Sequence, residues 1–100
     1  SFACLASRVP YGEAITADKL RLIEKAEAFL LKQGFSQFRV RCHGMLARIE
    51  VPEEELGSMM EASMRTKVRQ AFSRFGFVYT TVDLTGYRTG SLNEALPKRL

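Results

Sequence analysis

One hundred residues make one small domain, and with 46% of them hydrophobic a compact core is within reach. Fifteen Lys and Arg against eleven Asp and Glu leave a formal charge of +4, a mild excess that suits phosphate-bearing molecules or a plain charged surface and does not single out nucleic acid. No run of about 18 apolar residues exists, so no membrane span is expected, and two cysteines with one histidine and no CxxC pair argue against a zinc site.

No signal peptide is visible, and a two-cysteine chain of this kind reads as cytoplasmic, where disulfides are rare. The chain begins at Ser1 rather than Met and reads as part of a larger protein. Residues 1–15 are irregular. Cys4, Ser7 and Arg8 fall within five residues and are followed by Pro10-Tyr11-Gly12, with Pro10 pushing Val9 towards an extended backbone. A thiolate is the reactive form of cysteine, and nearby cations raise its population. Arg8 lies four residues from Cys4. No histidine is near in sequence to act as a base, so a Cys–His hydrolase is disfavoured, and a thiol that gives or carries sulfur fits better. Composition alone leaves an exposed structural thiol as the first reading of Cys4.

The first helix is expected from about Ala17 to Gln33. Thr16 is its N-cap, Asp18 sits in the first turn, and Gly34 is the stop. Leu20, Ile23, Ala26 and Leu30 recur at helical spacing and form the buried stripe. Glu27 flanks that stripe and reads as a surface glutamate.

Residues 36–51 alternate as a hairpin does. With His43-Gly44 as a two-residue turn, Cys42 faces Met45, Val40 faces Ala47 and Phe38 faces Ile49 on the core side. Arg41 then faces Leu46, Arg39 faces Arg48 and Gln37 faces Glu50 on the other side. Cys42 reads as a buried structural thiol, and His43 as a turn residue or anion donor. Arg39, Arg41 and Arg48 share a face despite their mutual repulsion. They are either ordinary solvated arginines or a cluster held by an anion, which is then a phosphate ligand or a carboxylate such as Glu50.

The second helix is expected from about Glu53 to Phe75, after Pro52 and with three glutamates at its positive end. Leu56, Met60, Met64, Val68, Ala71, Phe72 and Phe75 form its stripe, read as core. Arg65, Lys67, Arg69 and Arg74 sit late in the helix, and Gly76 ends it. Phe77 to Leu84 reads as a strand with Val78, Val82 and Leu84 on one face and Tyr79, Thr81 and Asp83 on the other. Residues 86–91 form a loop in which two glycines flank Arg88. The fold class is α+β, a two-layer sandwich with two helices packed on one face of a small three-stranded sheet, in the order α-β-β-α-β. Residues 1–15 are then a motif-bearing loop, 16–91 the domain and 92–100 a tail. The arginine face, left uncovered, is expected to meet a partner domain, another subunit or a ligand.

Three blocks carry a family resemblance: residues 3–12, Arg39-Val40-Arg41-Cys42-His43-Gly44 with Ala47-Arg48-Ile49-Glu50, and residues 83–93. In this order they resemble the C-terminal part of the LarE-type ATP-dependent sacrificial sulfur transferases of the PP-loop ATP pyrophosphatase superfamily. The resemblance implies a missing N-terminal ATP pyrophosphatase domain, which would hold most of the ATP and Mg2+. It implies adenylylation of a pyridinium mononucleotide substrate and transfer of a cysteine sulfur to it, in the making of a nickel-pincer cofactor. It implies that Cys4 is the donor, left as dehydroalanine, and that Arg39 and Arg41 bind phosphate. Arg8 and Arg88 are matched to the same substrate region, and Glu27 and Glu50 to acidic residues near the substrate or a metal. Some members hold a 4Fe–4S cluster with three cysteines; with two cysteines here, no iron–sulfur cluster is expected. A homo-oligomer is expected. The alternative is a non-catalytic oligomerisation domain, as in the related GMP synthetases. A nucleic-acid module is disfavoured for want of an aromatic-interleaved basic strand.

Overall fold

A computed structural model describes residues 8–10 and 12–87 of the chain. Helix α1 spans Ala17–Lys32. Thr16 stands in extended backbone before it, and its Oγ1 accepts the Lys19 N–H at 3.1 Å. Leu20, Ile23, Ala26 and Leu30 are its buried residues, the stripe that the 3.6-residue period predicts.

Strands β1 (Arg39–His43) and β2 (Leu46–Glu50) pair antiparallel. The faces are as the alternation predicts, but the register is not. Cys42 faces Ala47, Val40 faces Ile49, Arg41 faces Arg48 and Arg39 faces Glu50. The turn is Gly44-Met45 rather than His43-Gly44. Gly44 has φ +60°, and a tight hairpin with a single positive φ needs its glycine at the first central position. The shift amounts to two residues, so every side chain keeps its face and only its partner changes.

After β2 come a 3-10 turn at Glu53–Glu55, a short helix α2 (Leu56–Met60) and helix α3 (Ala62–Phe75). The continuous helix expected over 53–75 is thus broken. Glu61 is extended (φ −60°, ψ 139°), and its carboxylate accepts the Met64 N–H at 3.2 Å, so it caps α3 afresh. The break resets the apolar phase: Met59 is buried, while Met60 is 43% exposed.

Strand β3 is Tyr79–Val82, shorter than the expected 77–84. It pairs parallel with β2, the geometry that a helical crossover allows, and the strand order is β1-β2-β3. Phe77 is buried, whereas Val78 and Leu84 lie beyond the ladder, 66% and 79% exposed. The molecule is a two-layer α+β sandwich around a core that includes Ile23, Leu30, Val40, Cys42, Ile49, Met59 and Phe72. Phe72 is in ring contact with Phe29, Phe75 and Phe77. Among the described residues no helix is long and apolar enough to cross a membrane. The sheet face that carries the arginines is not bare: Arg41 and Glu50 are buried, with 5% and 0% exposure.

Candidate functional site

The outer edge of β1 is closed by two groups from elsewhere in the chain. Glu27, on α1, accepts the Val40 N–H at 2.9 Å. The Arg8 carbonyl accepts the Cys42 N–H at 2.9 Å. The same two residues also join through their side chains, Arg8 Nε to Glu27 Oε2 at 3.1 Å and Arg8 Nη2 to Glu27 Oε1 at 3.2 Å. A bidentate pair of this kind fixes orientation as well as distance. Arg8, the first described residue after the Cys4 region, is therefore bound to both the helix and the sheet.

On the sheet face away from the helices, Arg41 and Arg48 stand directly opposite each other. What holds them is carboxylate. Arg41 Nη2 donates to Glu50 Oε1 at 3.3 Å. Arg48 Nη1 donates to Glu50 Oε2 at 2.7 Å and to Asp83 Oδ2 at 2.6 Å. Among the described residues, the Arg41 and Arg48 guanidiniums are thus met by the Glu50 and Asp83 carboxylates. A buried charge is tolerated only when paired in this way. One donor is left over: Arg41 Nε is buried with no hydrogen-bond partner. Arg39, on the same face, donates Nη1 to the Phe38 carbonyl at 2.8 Å, and its guanidinium carbon lies 5.3 Å from the centre of the Tyr87 ring.

The hairpin turn borders this cluster. Arg48 Nε donates to His43 Nε2 at 3.1 Å, which requires that nitrogen to be unprotonated. Burial, then the positive charge of Arg48, pushes the His43 pKa down; Arg41 adds to this, and Glu13 and Glu50 oppose it. Glu13 Oε2 accepts the Gly44 N–H and a Lys19 Nζ hydrogen, each at 2.7 Å, and so ties the turn to the segment before α1. Burial raises the Glu13 pKa, but the hydrogen bonds from Lys19 and Gly44 and the charges of Lys19 and His43 outweigh it, and the net shift is downward. Cys42 donates Sγ–H to the Gly44 carbonyl at 3.2 Å. Burial and the negative charge of Glu13 push this thiol up, against Lys19, so it stays a thiol.

Cys4 and Arg88 lie outside the described residues. Arg8 and Glu27 are brought together at the β1 edge, and Arg39, Arg41 and Glu50 share one sheet face. Among the described residues no group of three or more His, Cys, Asp and Glu could hold a metal ion. Sequence reasoning missed Asp83 as a partner of Arg48, His43 as its acceptor, Glu13 as the tether of the turn and Tyr87 as the ring beside Arg39. Asp83 had a usable signal in its alternation with Tyr79 and Thr81, and His43 in sharing a hairpin face with Arg48. Glu13 and Tyr87 meet their partners through tertiary approach alone.

No protein-family model matches the chain. Over 95 residues, 95% of this chain, it is 45% identical to an uncharacterized protein of Synechocystis sp., of which the match covers 35%. Over 94 residues, 94% of this chain, it is 39% identical to the pyridinium-3,5-bisthiocarboxylic acid mononucleotide synthase of Lactiplantibacillus plantarum, of which the match covers 33%. The chain therefore spans about a third of the length of the curated relatives it matches, and it is related in sequence to part of that synthase.

Proposed function

We propose that this chain is the sulfur-donating part of an ATP-dependent sulfur transferase that converts a pyridinium carboxylate mononucleotide to its thiocarboxylate, a step in making a nickel-pincer cofactor. The observation that carries the reading is the 39% identity to a pyridinium-3,5-bisthiocarboxylic acid mononucleotide synthase along 94% of this chain. The activating half of the reaction falls to the part of the full-length protein outside these 100 residues, an ATP pyrophosphatase domain using Mg2+. There the substrate carboxylate attacks the α-phosphorus of ATP, and pyrophosphate leaves.

The second half belongs to this chain. The Cys4 thiolate attacks the acyl carbon, AMP leaves with the electrons of the broken C–O bond, and a thioester joins substrate to protein. A base then removes the Cys4 Cα proton, and the Cβ–S bond breaks with its electron pair on sulfur. The thiocarboxylate departs and dehydroalanine remains at position 4. No oxidant or reductant is consumed. Arg8 supports the reading: it is held by Glu27 and β1, and four peptide units of chain keep it within about 14 Å of Cys4. Arg39 and Arg41 serve the phosphate of the mononucleotide, and the unpartnered Nε of buried Arg41 is a donor left for an anionic oxygen.

The test is the mass of the full-length protein after turnover with ATP and the pyridinium carboxylate mononucleotide. The peptide holding Cys4 should lose the mass of hydrogen sulfide, one equivalent per product formed. Product accompanied by an intact Cys4 overturns the sacrificial step. For the phosphate role, Arg39→Ala and Arg41→Lys should each weaken mononucleotide binding by about tenfold or more in calorimetry. Binding that survives both changes removes it.

A further inference from the structure

Strand β3 ends the sheet, since the order is β1-β2-β3. The edge of β1 is closed by Glu27 and Arg8, but the outer edge of β3 has no strand beside it among the described residues. Tyr79 on that strand and Val78 before it are both 66% exposed. An edge left open in this way is a template for another strand. Beside it runs a groove of about 230 Å³ with an apolar floor of Ile49, Met59, Val68 and Val82, and with Arg65 and Arg69 on its wall.

The charge around the groove selects the occupant. Helix α3 carries Arg65, Lys67, Arg69 and Arg74, all exposed, and no Asp or Glu within Ala62–Phe75. Arg65 and Arg69 stand four apart on one helix face, where like charges repel. Among the described residues neither is in a salt bridge, whereas Arg8, Arg21, Arg41 and Arg48 are. A second copy is a poor occupant, because β3-to-β3 pairing across a two-fold axis brings two such helices towards each other. An acidic chain is a good one.

We propose that the open edge of β3 and its groove receive an extended acidic segment of polypeptide by strand addition. Main-chain hydrogen bonds to β3 supply the register, apolar side chains fill the groove, and carboxylates meet Arg65 and Arg69. The chain spans about a third of its curated relatives, so such a segment has ample polypeptide to come from. The proposal does not depend on the sulfur-transfer reading.

The test uses the 100-residue chain labelled with 15N and an octapeptide in which valine and glutamate take turns at every other position, with threonine between them, so that both side chains point into the groove. Two controls accompany it, one with lysine for glutamate and one with alternate backbone nitrogens methylated. The glutamate peptide should shift the amide signals of Tyr79–Val82 and of Arg65 and Arg69. The methylated peptide should lose this effect. The Arg65→Glu/Arg69→Glu variant should bind the glutamate peptide about tenfold more weakly, with the lysine peptide now preferred. Equal binding of all three peptides, no shift at β3, or a dimer by sedimentation with β3 at its interface would each overturn the proposal.

Discussion

Glu27 takes hydrogen bonds from both the Arg8 guanidinium and the Val40 amide, with its side chain only 17% exposed. Removing it takes the carboxylate from a 9%-exposed guanidinium and the acceptor from a sheet-edge N–H at once. Glu27→Ala should therefore cost about 3 kcal/mol in urea unfolding. Glu27→Gln, which keeps an acceptor for Val40, should cost less; equal losses would mean that the charge is irrelevant. His43 sets a second expectation. Its pKa is lowered in the folded state, so over that interval the unfolded chain binds more protons. Its contribution is complete above the ordinary histidine value and is lost as pH falls through the lowered one. Glu13 acts in the same direction within the carboxylate range. Cys42 acts in the opposite sense: its raised pKa gives a contribution that is complete below the ordinary thiol value and fades as pH climbs through the raised one. His43→Gln should flatten the stability curve just below the ordinary histidine value, read from urea midpoints against pH, and leave the carboxylate limb in place. An unchanged slope would place its origin elsewhere.

Among the elements, the strands and α1 were legible because burial imprints a period of two or of 3.6 on the residues. The hairpin register was not, because a two-residue slip leaves that imprint untouched and only the glycine position in the turn decides it. The break at Glu61 was also invisible, since helical spacing holds on both sides of it. That break rests on one carboxylate cap, and Glu61→Ala should cost about 1 kcal/mol. The loop after β3 rests on a closer fit. Gly86 has φ +96°, and a Cβ there would lie 2.9 Å from the Val51 carbonyl oxygen. Gly44 has φ +60°, and a Cβ there would meet no neighbouring atom within 4 Å. Gly44→Ala should lower stability by about 1 kcal/mol from backbone strain alone, and Gly86→Ala by about 3 kcal/mol from strain and contact together. Thermal unfolding of the two variants tests the order, which should not invert.

For the whole molecule, the layered α+β plan follows from element order and amphipathic faces, and it stands. The site was legible only in part. The shared face of Arg39, Arg41 and Arg48 follows from alternation, and Glu50 was one of the anions considered for it. The Arg8–Glu27 pair, 19 residues apart, and the Arg48–Asp83 pair, 35 apart, exist only because the fold brings distant segments together. The mixed pairing of the sheet has one more consequence, for the order of assembly. Val40 and Ile49 are 9 residues apart and meet across a tight turn, whereas Ile49 and Val82 are 33 apart and meet only after α2 and α3 have crossed over. Closing the longer loop costs more chain entropy, and contacts of that range form late. The β1–β2 hairpin should be the early half of the sheet and β3 the last to join and the first to leave. Amides of Thr80 and Val82 should then exchange with solvent faster than those of Val40 and Ile49, so that the strand with the open edge is also the one held most loosely.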